Sequence, residues 1–145
     1  MTVLTQHAAG TFCWPELATA DQNSARKFYA PLFGWTYNDL PTGPSGVYTI
    51  LQKNGKDCAA LYTLNPEQKQ RGVPPHWGAF VAVTSADDTV SQAKRLGGSV
   101  LVEPMDVTDK GRMAVLRDPA GAVFSLWQAR THIGASVLNE PGALC

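Results

Sequence analysis

The sequence lacks an excess of charge of either sign, and this narrows the classes of partner. Twelve Lys and Arg residues balance twelve Asp and Glu residues, so the formal net charge at pH 7 is zero. A nucleic-acid-binding protein usually carries a basic surface, because its Lys and Arg side chains displace the counterions of phosphate groups. We therefore expect a chain that does not bind nucleic acid.

Long apolar runs are also missing. No run comes near the roughly 18 apolar residues that read as a membrane-spanning helix, so we expect no membrane partner. The opening MTVLTQHAAG lacks the charged and apolar regions of a secretory signal. Together these features predict a cytoplasmic protein.

Cysteine is scarce: the 145 residues include only Cys13, Cys58 and Cys145. These cysteines are far apart and never form a C-x-x-C pair, which argues against a disulfide framework or a zinc knuckle. We expect three reduced thiols, as in a reducing compartment.

The first part of the chain has the pattern of a strand, a helix and three more strands. GTFCWPELAT alternates like a strand, Asp21 suits the N-cap of a helix over QNSARKFYAPLFG, and Gly34 suits its end. Further strands are predicted around 35–38, 47–53 and 58–64, separated by turns in PTGPSG and KNGKD.

Two prolines and the apolar spacing of the helix lead to specific predictions for this part of the chain. Pro15 lacks a ladder donor, so its strand should lie at a sheet edge or be locally irregular. Pro31 predicts a kink or an early helix end near Tyr29. The apolar spacing predicts that the helix buries Ala25, Phe28, Leu32 and Phe33 against the sheet.

The same order then returns. HWGAFVAV reads as a strand, and Thr84 or Ser85 caps a helix to about Leu96, with Val90, Ala93 and Leu96 facing inward. A Gly-Gly pair ends this helix. SVLVEP, GRMAVLRD and AVFSLWQ are three further strands, and DPAG forms a turn between the last two.

This repetition predicts an α+β protein built from two βαβββ modules. Equivalent positions pair Ala60 with Ser125 and Tyr62 with Trp127. The predicted domain spans 10–128, with a first half over 10–64, a polar linker over 65–76 and a second half over 77–128. In the tail, 129–145, PGALC is similar to AGTFC of the first strand, so the tail is either the start of a second domain or a chance likeness.

These segments resemble the vicinal oxygen chelate superfamily, which includes glyoxalase I, bleomycin-resistance and fosfomycin-resistance proteins, and extradiol dioxygenases. The resembling segments are CWPELATAD, SARKFYAPLFGW, VAVTSADDTVSQAKRLGG, GRMAV and DPAGAVFSLW. Among its members, the chain is most similar to glyoxalase-like proteins that carry two such domains in tandem. The resemblance implies a curved eight-stranded mixed sheet around a small-molecule cleft, helices on the convex side, and a homodimer.

In the metal-dependent members, the ligands come from the first and last strands of each half. Those positions fall here on Trp14, Gly78 (or Trp77 if the register differs by one residue), Ala60 and Ser125. None of these is a normal metal ligand, and a catalytic divalent site usually has at least three protein donors. We therefore expect no metal cofactor.

Three other donors lie near these positions: Glu16, Cys58 and His76. A displaced metal site built from them is one alternative, and for His76 a surface position at a strand start is the other. Glu16 should lie on an aromatic inner face, where partial desolvation raises its pKa. It is then a catalytic base or a ligand anchor, or it forms a structural ion pair with Arg112.

Aromatic side chains give the predicted cleft its character. Alternation along the strands places Trp14, Tyr62 and Trp127 on the inner face, and rings of this kind suit an aromatic or apolar ligand unless they fill the space themselves. His7 and His132 lie outside the repeat and are expected to be exposed. The predicted ligand-binding residues are Trp14, Glu16, Tyr62, Phe80, Arg112, Ser125 and Trp127.

Three functions are consistent with these residues. The preferred one is a metal-independent protein that binds a small molecule. The second is a glyoxalase-type lyase or isomerase that uses Glu16, with or without a displaced metal. The third is a non-catalytic domain that assembles as a dimer.

Overall fold

The computed structural model of the chain describes residues 2–43 and 46–145. Pro44 and Ser45 of the predicted PTGPSG turn lie outside the described residues. The first elements are β1 (Thr2–Val3), β2 (Phe12–Thr19), α1 (Gln22–Phe33), β3 (Thr36–Pro41), β4 (Val47–Lys53), β5 (Lys56–Thr63) and α2 (Pro66–Gln70). They are followed by β6 (His76–Ala82), α3 (Ala86–Arg95), β7 (Ser99–Val107), β8 (Gly111–Arg117), β9 (Val123–Ala129) and β10 (Val137–Leu138).

Eight strands form one mixed sheet in the order β3-β4-β5-β2-β6-β9-β8-β7, and β1 pairs with β10 in a small separate sheet. The pairs β2–β5 and β6–β9 are parallel, whereas β3–β4, β4–β5, β7–β8 and β8–β9 are antiparallel. The elements β2-α1-β3-β4-β5 and β6-α3-β7-β8-β9 repeat one βαβββ order. The predicted α+β class and its two modules are therefore confirmed.

The chain folds into two compact units. The first unit contains the residues up to Leu4, Pro15–Trp77 and Ala135–Cys145; the second contains Thr5–Trp14 and Gly78–Gly134. Pro15 is the residue at which β2 enters the first unit, directly before the pairing of β2 with β5 begins at Glu16. Of the two alternatives predicted from Pro15, the edge position is wrong, because β2 lies inside the sheet order.

Helix α1 begins as predicted. The Asp21 carboxylate accepts hydrogen bonds from the backbone N–H groups of Asn23 (2.9 Å) and Ser24 (3.2 Å), which have no partner within the helix. These two hydrogen bonds lower the pKa of Asp21, because they stabilise its ionised form.

Of the two alternatives predicted from Pro31, the early end of α1 near Tyr29 is wrong, since the helix continues through Pro31 to Phe33. The backbone N–H groups of Gly34 and Trp35 both donate to the Ala30 carbonyl, so the last turn is closed beyond the proline. Gly34 then ends the helix with a φ of 68°, a conformation that favours glycine.

The predicted buried face of α1 is largely wrong. Ala25 is buried, but Phe28 and Leu32 are 60% and 56% exposed, and Phe33 is exposed as well. The reason is a polar layer between helix and sheet: Arg26 donates to Asp39 (2.6 Å) and to the fully buried Thr49 (2.8 Å). These contacts turn the Arg26 side of the helix toward the sheet and leave Phe28 and Leu32 outside.

Of the two predicted N-caps of helix α3, Thr84 and Ser85, the structure confirms Ser85. The Ser85 hydroxyl, and not that of Thr84, accepts from the Asp88 backbone N–H at 3.1 Å. Val90 is buried as predicted, whereas Leu96 is 72% exposed. The helix ends at Arg95, so Leu96 is its C-cap and does not continue the buried face.

The structure has the predicted turn at Asn54-Gly55 and shows a short helix within the predicted linker. Asn54 (φ 50°) and Gly55 (φ 74°) both adopt the left-handed conformation that a two-residue hairpin turn needs. The linker over 65–76 is not structureless, because it contains α2, and its last residue, His76, already belongs to β6.

The tail packs on the first unit. Val137 lies in the core of that unit, and the Trp35 indole N–H donates to the Gly142 carbonyl at 2.7 Å. The Lys53 ammonium also donates to the Pro141 carbonyl. PGALC therefore folds as part of the first unit in this chain, although AGTFC opens a strand.

All three cysteines are unpaired, with Cys13 and Cys58 buried. Burial raises the pKa of both buried thiols to about 12, so they stay protonated at neutral pH. In the part of the chain that the structure describes, no helix combines the length and apolar character needed to cross a membrane.

We predict that Ser85→Ala lowers the free energy of unfolding by about 1 kcal/mol, because the Asp88 N–H loses its acceptor. Thr84→Ala is the matched control and should change stability by less than about 0.5 kcal/mol. Urea unfolding of both variants measures the difference. Equal losses would contradict the assignment of the cap.

Candidate functional site

Each unit has a sheet face covered by its helix and an opposite face, which we call the inner face. In the first unit, Leu17, Leu51 and Leu61 pack with Ala25 of α1 on the helix-covered side. Because side chains alternate along a strand, their neighbours form the first inner face. Its two rows, read across β3, β4, β5 and β2, are Asn38–Ile50–Ala60–Glu16 and Leu40–Tyr48–Tyr62–Ala18.

Glu16 and Tyr48 form the central contact of the first inner face. The Tyr48 hydroxyl donates to Glu16 Oε2 at 2.5 Å, although β5 separates their two strands. The residue between them in the sheet is Ala60, which is fully buried and has only a methyl group. A small residue at this position lets the tyrosine side chain reach across β5.

The protonation of Glu16 is set by opposing influences. Burial raises the pKa of the carboxyl above its ordinary value of 4.5, because the charged form loses hydration. The Tyr48 hydrogen bond lowers this pKa in part, and the charge of His76 lowers it further. His76 itself is an exposed residue at the start of β6, as the surface alternative predicts.

Tyr62 extends this polar group. It lies beside Tyr48 in the register, and its hydroxyl accepts a hydrogen bond from the Gln68 side chain of α2 at 2.9 Å. Burial raises the pKa of Tyr62, and the charge of Glu16 adds to this effect. The first inner face therefore presents hydroxyl and carboxyl groups that can donate or accept a proton.

The second inner face is apolar. Leu116, Leu126 and Ala114 pack with Val90 of α3 on the helix-covered side, so alternation again defines the opposite rows. Read across β7, β8, β9 and β6, these rows are Val102–Val115–Ser125–Phe80 and Met105–Met113–Trp127–Ala82.

Three buried aromatic side chains of the second unit, Trp14, Phe80 and Trp127, surround one end of this face. Phe80 meets Trp127 edge-on at 6.1 Å between ring centroids. The ring of His132 lies edge-on to Trp14 at 5.0 Å and to Trp127 at 6.4 Å. The expectation that His132 is exposed is therefore wrong: it is half-buried, because the chain after β9 returns across the rings.

Glycine at position 111 permits this arrangement. A Cβ added to Gly111 would lie 2.5 Å from the Trp127 ring, closer than any real contact. The Trp127 indole N–H is also fixed, because it donates to the His132 carbonyl at 2.7 Å.

Arg112 lies on the wrong side of the sheet for its predicted role. It alternates with Met113 and shares the helix-covered face, where its guanidinium donates to Asp87 of α3 (2.8 Å) and to Asp106 (3.0 Å). Arg112 therefore pairs with these aspartates, and of the alternatives for Glu16 the structural ion pair with Arg112 is not formed. Its hydrogen bonds lower the pKa of both aspartates.

The residues at the family's metal positions do not fit a divalent cation. Glu16 pairs with Ala60 and Phe80 with Ser125, which makes Gly78 the equivalent of Trp14 and removes the alternative of Trp77. Indole, methyl and glycine hydrogen are not metal ligands, and Ser125 alone offers an oxygen.

A displaced site is not assembled either. The Cys58 thiol lies in the core under α1 and donates to the Leu51 carbonyl. Across residues 2–43 and 46–145, no three or more His, Cys, Asp and Glu side chains gather in a group that could hold a metal ion.

Apart from Arg112, the predicted site residues thus fall into two groups. Glu16 and Tyr62 share the first inner face, and Trp14, Phe80, Ser125 and Trp127 belong to the second unit, where they lie on or beside its inner face. Sequence reasoning missed Tyr48, Gln68 and His132. Alternation with Ile50 could have placed Tyr48, whereas no local signal places the other two.

Comparisons with known proteins agree with this architecture. A profile described as Glyoxalase/Bleomycin resistance protein/Dioxygenase superfamily matches residues 6–126. CFP32 of Mycobacterium tuberculosis, whose name records it as a candidate glyoxylase, is 42% identical over 96% of this chain and 53% of its own length. The anthracycline biosynthesis protein DnrV of Streptomyces peucetius is 34% identical over 97% of this chain and 55% of its own. The chain spans about half the length of these relatives.

Among solved structures, methylmalonyl-CoA epimerase from Mycobacterium tuberculosis superposes with a TM-score of 0.62 at 16% identity, over 87% of this chain and 91% of the epimerase. At this identity the likeness shows the fold. Because the family profile covers most of the residues and the repeated βαβββ order agrees with it, the chain belongs to the glyoxalase/bleomycin resistance protein/dioxygenase superfamily.

Proposed function

We propose that this protein binds a small molecule whose apolar part lies on the second inner face. The observation that carries this proposal is the exposure of Val102 (36%) and Met105 (48%) on a sheet face. Met113 and Val115, the next residues in the two rows, are also only partly buried. Adjoining apolar side chains left open in this way are typical of ligand-binding surfaces.

Of the two ligand classes that the sequence predicts, aromatic and apolar, the apolar one fits the open part of this face better. The rings of Trp14, Phe80 and Trp127 are buried, whereas the open side chains are aliphatic or thioether groups. Methionine adapts its shape to different partners, because its side chain is unbranched and flexible. Ser125, in the same row as Val115, supplies one polar group for orientation.

We further propose that binding occurs without a metal at the family's usual positions, and that the protein works in the cytoplasm. The first proposal is supported by the side chains of Trp14, Gly78, Ala60 and Ser125, which offer a single oxygen donor. The second is supported by the three unpaired cysteines. The name of DnrV, an anthracycline biosynthesis protein, is consistent with a role that involves a small molecule.

A binding assay with a straight-chain alcohol such as octanol tests the main proposal. Met105→Gln keeps the length of the side chain but removes its apolar character, and half the burial energy of a methionine is about 1 kcal/mol. We therefore expect about fivefold weaker binding by calorimetry. Leu96→Gln is the matched control, because Leu96 is an exposed aliphatic residue outside the inner face, and it should bind like the wild type. Equal affinity of the Met105 variant, or no binding at all, would contradict the proposal.

The second candidate function is proton transfer by Glu16, and a specific observation favours it. The Glu16 carboxyl has a raised pKa and is hydrogen-bonded to Tyr48, and such a group can act as a general base or acid. In a glyoxalase-type isomerisation, such a base removes the proton from the hydroxyl-bearing carbon of a hemithioacetal and returns it to the neighbouring carbonyl carbon. The hydroxyl proton passes to the former carbonyl oxygen, so the hemithioacetal becomes the thioester of a 2-hydroxy acid. The atoms balance without any further reactant.

Proton NMR in deuterium oxide tests this candidate with methylglyoxal and a thiol. If Glu16 is the base, the wild type isomerises the hemithioacetal and Glu16→Gln slows the reaction by about a hundredfold or more. Glu67→Gln, on the exposed surface of α2, is the control and should keep the wild-type rate. A wild type without turnover, or an unaffected Glu16 variant, would exclude this candidate.

The raised pKa of Glu16 also predicts a pH dependence of stability. A carboxyl whose pKa is raised by folding contributes stability that is present below 4.5 and is lost as the pH rises through its folded pKa. Glutamine stays neutral, so the stability of Glu16→Gln relative to the wild type should increase from below pH 4.5 to neutral pH. Urea unfolding across this range measures the difference, with Glu67→Gln as control. A difference that does not change with pH would contradict the burial of Glu16.

The homodimer and the assembly function stay predictions. The exposed Phe28 and Leu32 of α1, with Phe33 and Trp77 near them, form the aromatic surface that we assign to such a contact. A non-catalytic assembly domain would use this surface and leave both inner faces unused.

A further inference from the structure

The imidazole of His132 occupies a place that a free aromatic ring would fit. It stands edge-on to two tryptophan rings, at interplanar angles of 86° to Trp14 and 83° to Trp127. This edge-to-face arrangement is one of the two that aromatic rings prefer when they pack together. The chain itself thus supplies a flat five-membered ring to the aromatic end of the second unit.

The backbone around His132 is fixed, so the ring position does not depend on a flexible loop. The His132 carbonyl accepts from Trp127 Nε1, and the His132 backbone N–H donates to the Lys110 carbonyl. Gly134 packs closely on the other side, where an added Cβ would lie 2.5 Å from the Cys13 carbonyl oxygen. The Gly134 N–H also donates to His132 Nδ1 at 3.1 Å, and this bond would be lost with the imidazole, whereas the two bonds of the His132 backbone and the close packing of Gly134 would remain. Removal of the imidazole should therefore leave a gap and not a collapsed loop.

We infer that the aromatic end of the second unit is a binding site for a small flat ring, which His132 fills in the wild type. The inference rests on the proposed function in one respect, since it specifies the ligand class of the same face. With the ring position occupied, the side chains left open to the apolar part of a ligand are those of Val102, Met105, Met113 and Val115. His132 is then the residue that selects aliphatic over aromatic ligands.

The test is to empty the ring position and to offer free rings. His132→Ala removes the imidazole and keeps the backbone, and 4-methylimidazole and phenol are the probes. We expect both probes to bind His132→Ala at least about tenfold more tightly than the wild type by calorimetry or ligand-observed NMR. His132→Phe is the matched control, because it refills the position with a ring, and it should exclude the probes as the wild type does.

The melting temperature is a second measurement, which tests the ring site even if His132→Ala is less stable than the wild type. If the gap lowers its melting temperature, 4-methylimidazole should raise that temperature in His132→Ala and leave the wild type and His132→Phe unchanged. His76→Ala, which removes an exposed imidazole from the first unit, is the control for unspecific effects of the probe and should show no rise.

The outcomes separate this inference from the proposed function. Equal ring binding by the wild type and His132→Ala, or no ring binding by either, would overturn the ring site. If the wild type binds octanol and the affinity of His132→Ala for octanol is within about twofold of the wild-type affinity, both the ring site and the proposed function are supported. Ring binding to His132→Ala without octanol binding to the wild type would retain the ring site and refute the proposed function.

Discussion

The register of the two parallel strand pairs is the constraint on which the rest of the structure depends. Glu16 lies beside Ala60 in one pair, and Phe80 lies beside Ser125 in the other. Because side chains alternate along a strand, each of these pairings decides which residues of four strands face the helix and which face away. A shift by one residue would bury Glu16 under α1 and expose Leu17 and Leu61.

The common register also shows how the two halves have diverged in chemistry. Equivalent positions carry Glu16 and Phe80, Tyr48 and Met113, and Asn38 and Val102, so one inner face is polar where the other is apolar. The helix-covered faces remain similar, since leucines pack against a helix in both units. The backbone repeat is thus common to both units, and the chemical difference between them lies in the side chains of the inner rows.

Local patterns predicted the fold well, because they depend on neighbouring residues. The alternation that places Tyr62 and Trp127 inward, the Asp21 cap and the Asn54-Gly55 turn all arise within a few positions. Where both faces of a strand are apolar, alternation cannot choose between them. This is the case for GRMAVL, in which Met113 and Val115 alternate with Ala114 and Leu116, and it explains why Arg112 was placed on the wrong face.

The remaining errors come from contacts between distant parts of the chain. The exposure of Phe28 follows from the contact of Arg26 with Asp39 and Thr49, which no helical periodicity reveals. His132 reaches the aromatic rings because Gly134 packs against Cys13, far away in the sequence. The sequence therefore predicted which aromatic rings come together. It did not predict that His132 of the same chain packs against them.

The central claim is that the open apolar rows of the second unit form the ligand-binding surface. Met105 and Met113 are natural probes, since both lie on this face. With 13C-labelled methionine methyl groups, a titration with octanol followed by NMR should shift the signals of Met105 and Met113 at one common affinity. Unchanged signals from Met105 and Met113, or shifts at two different affinities, would contradict the account.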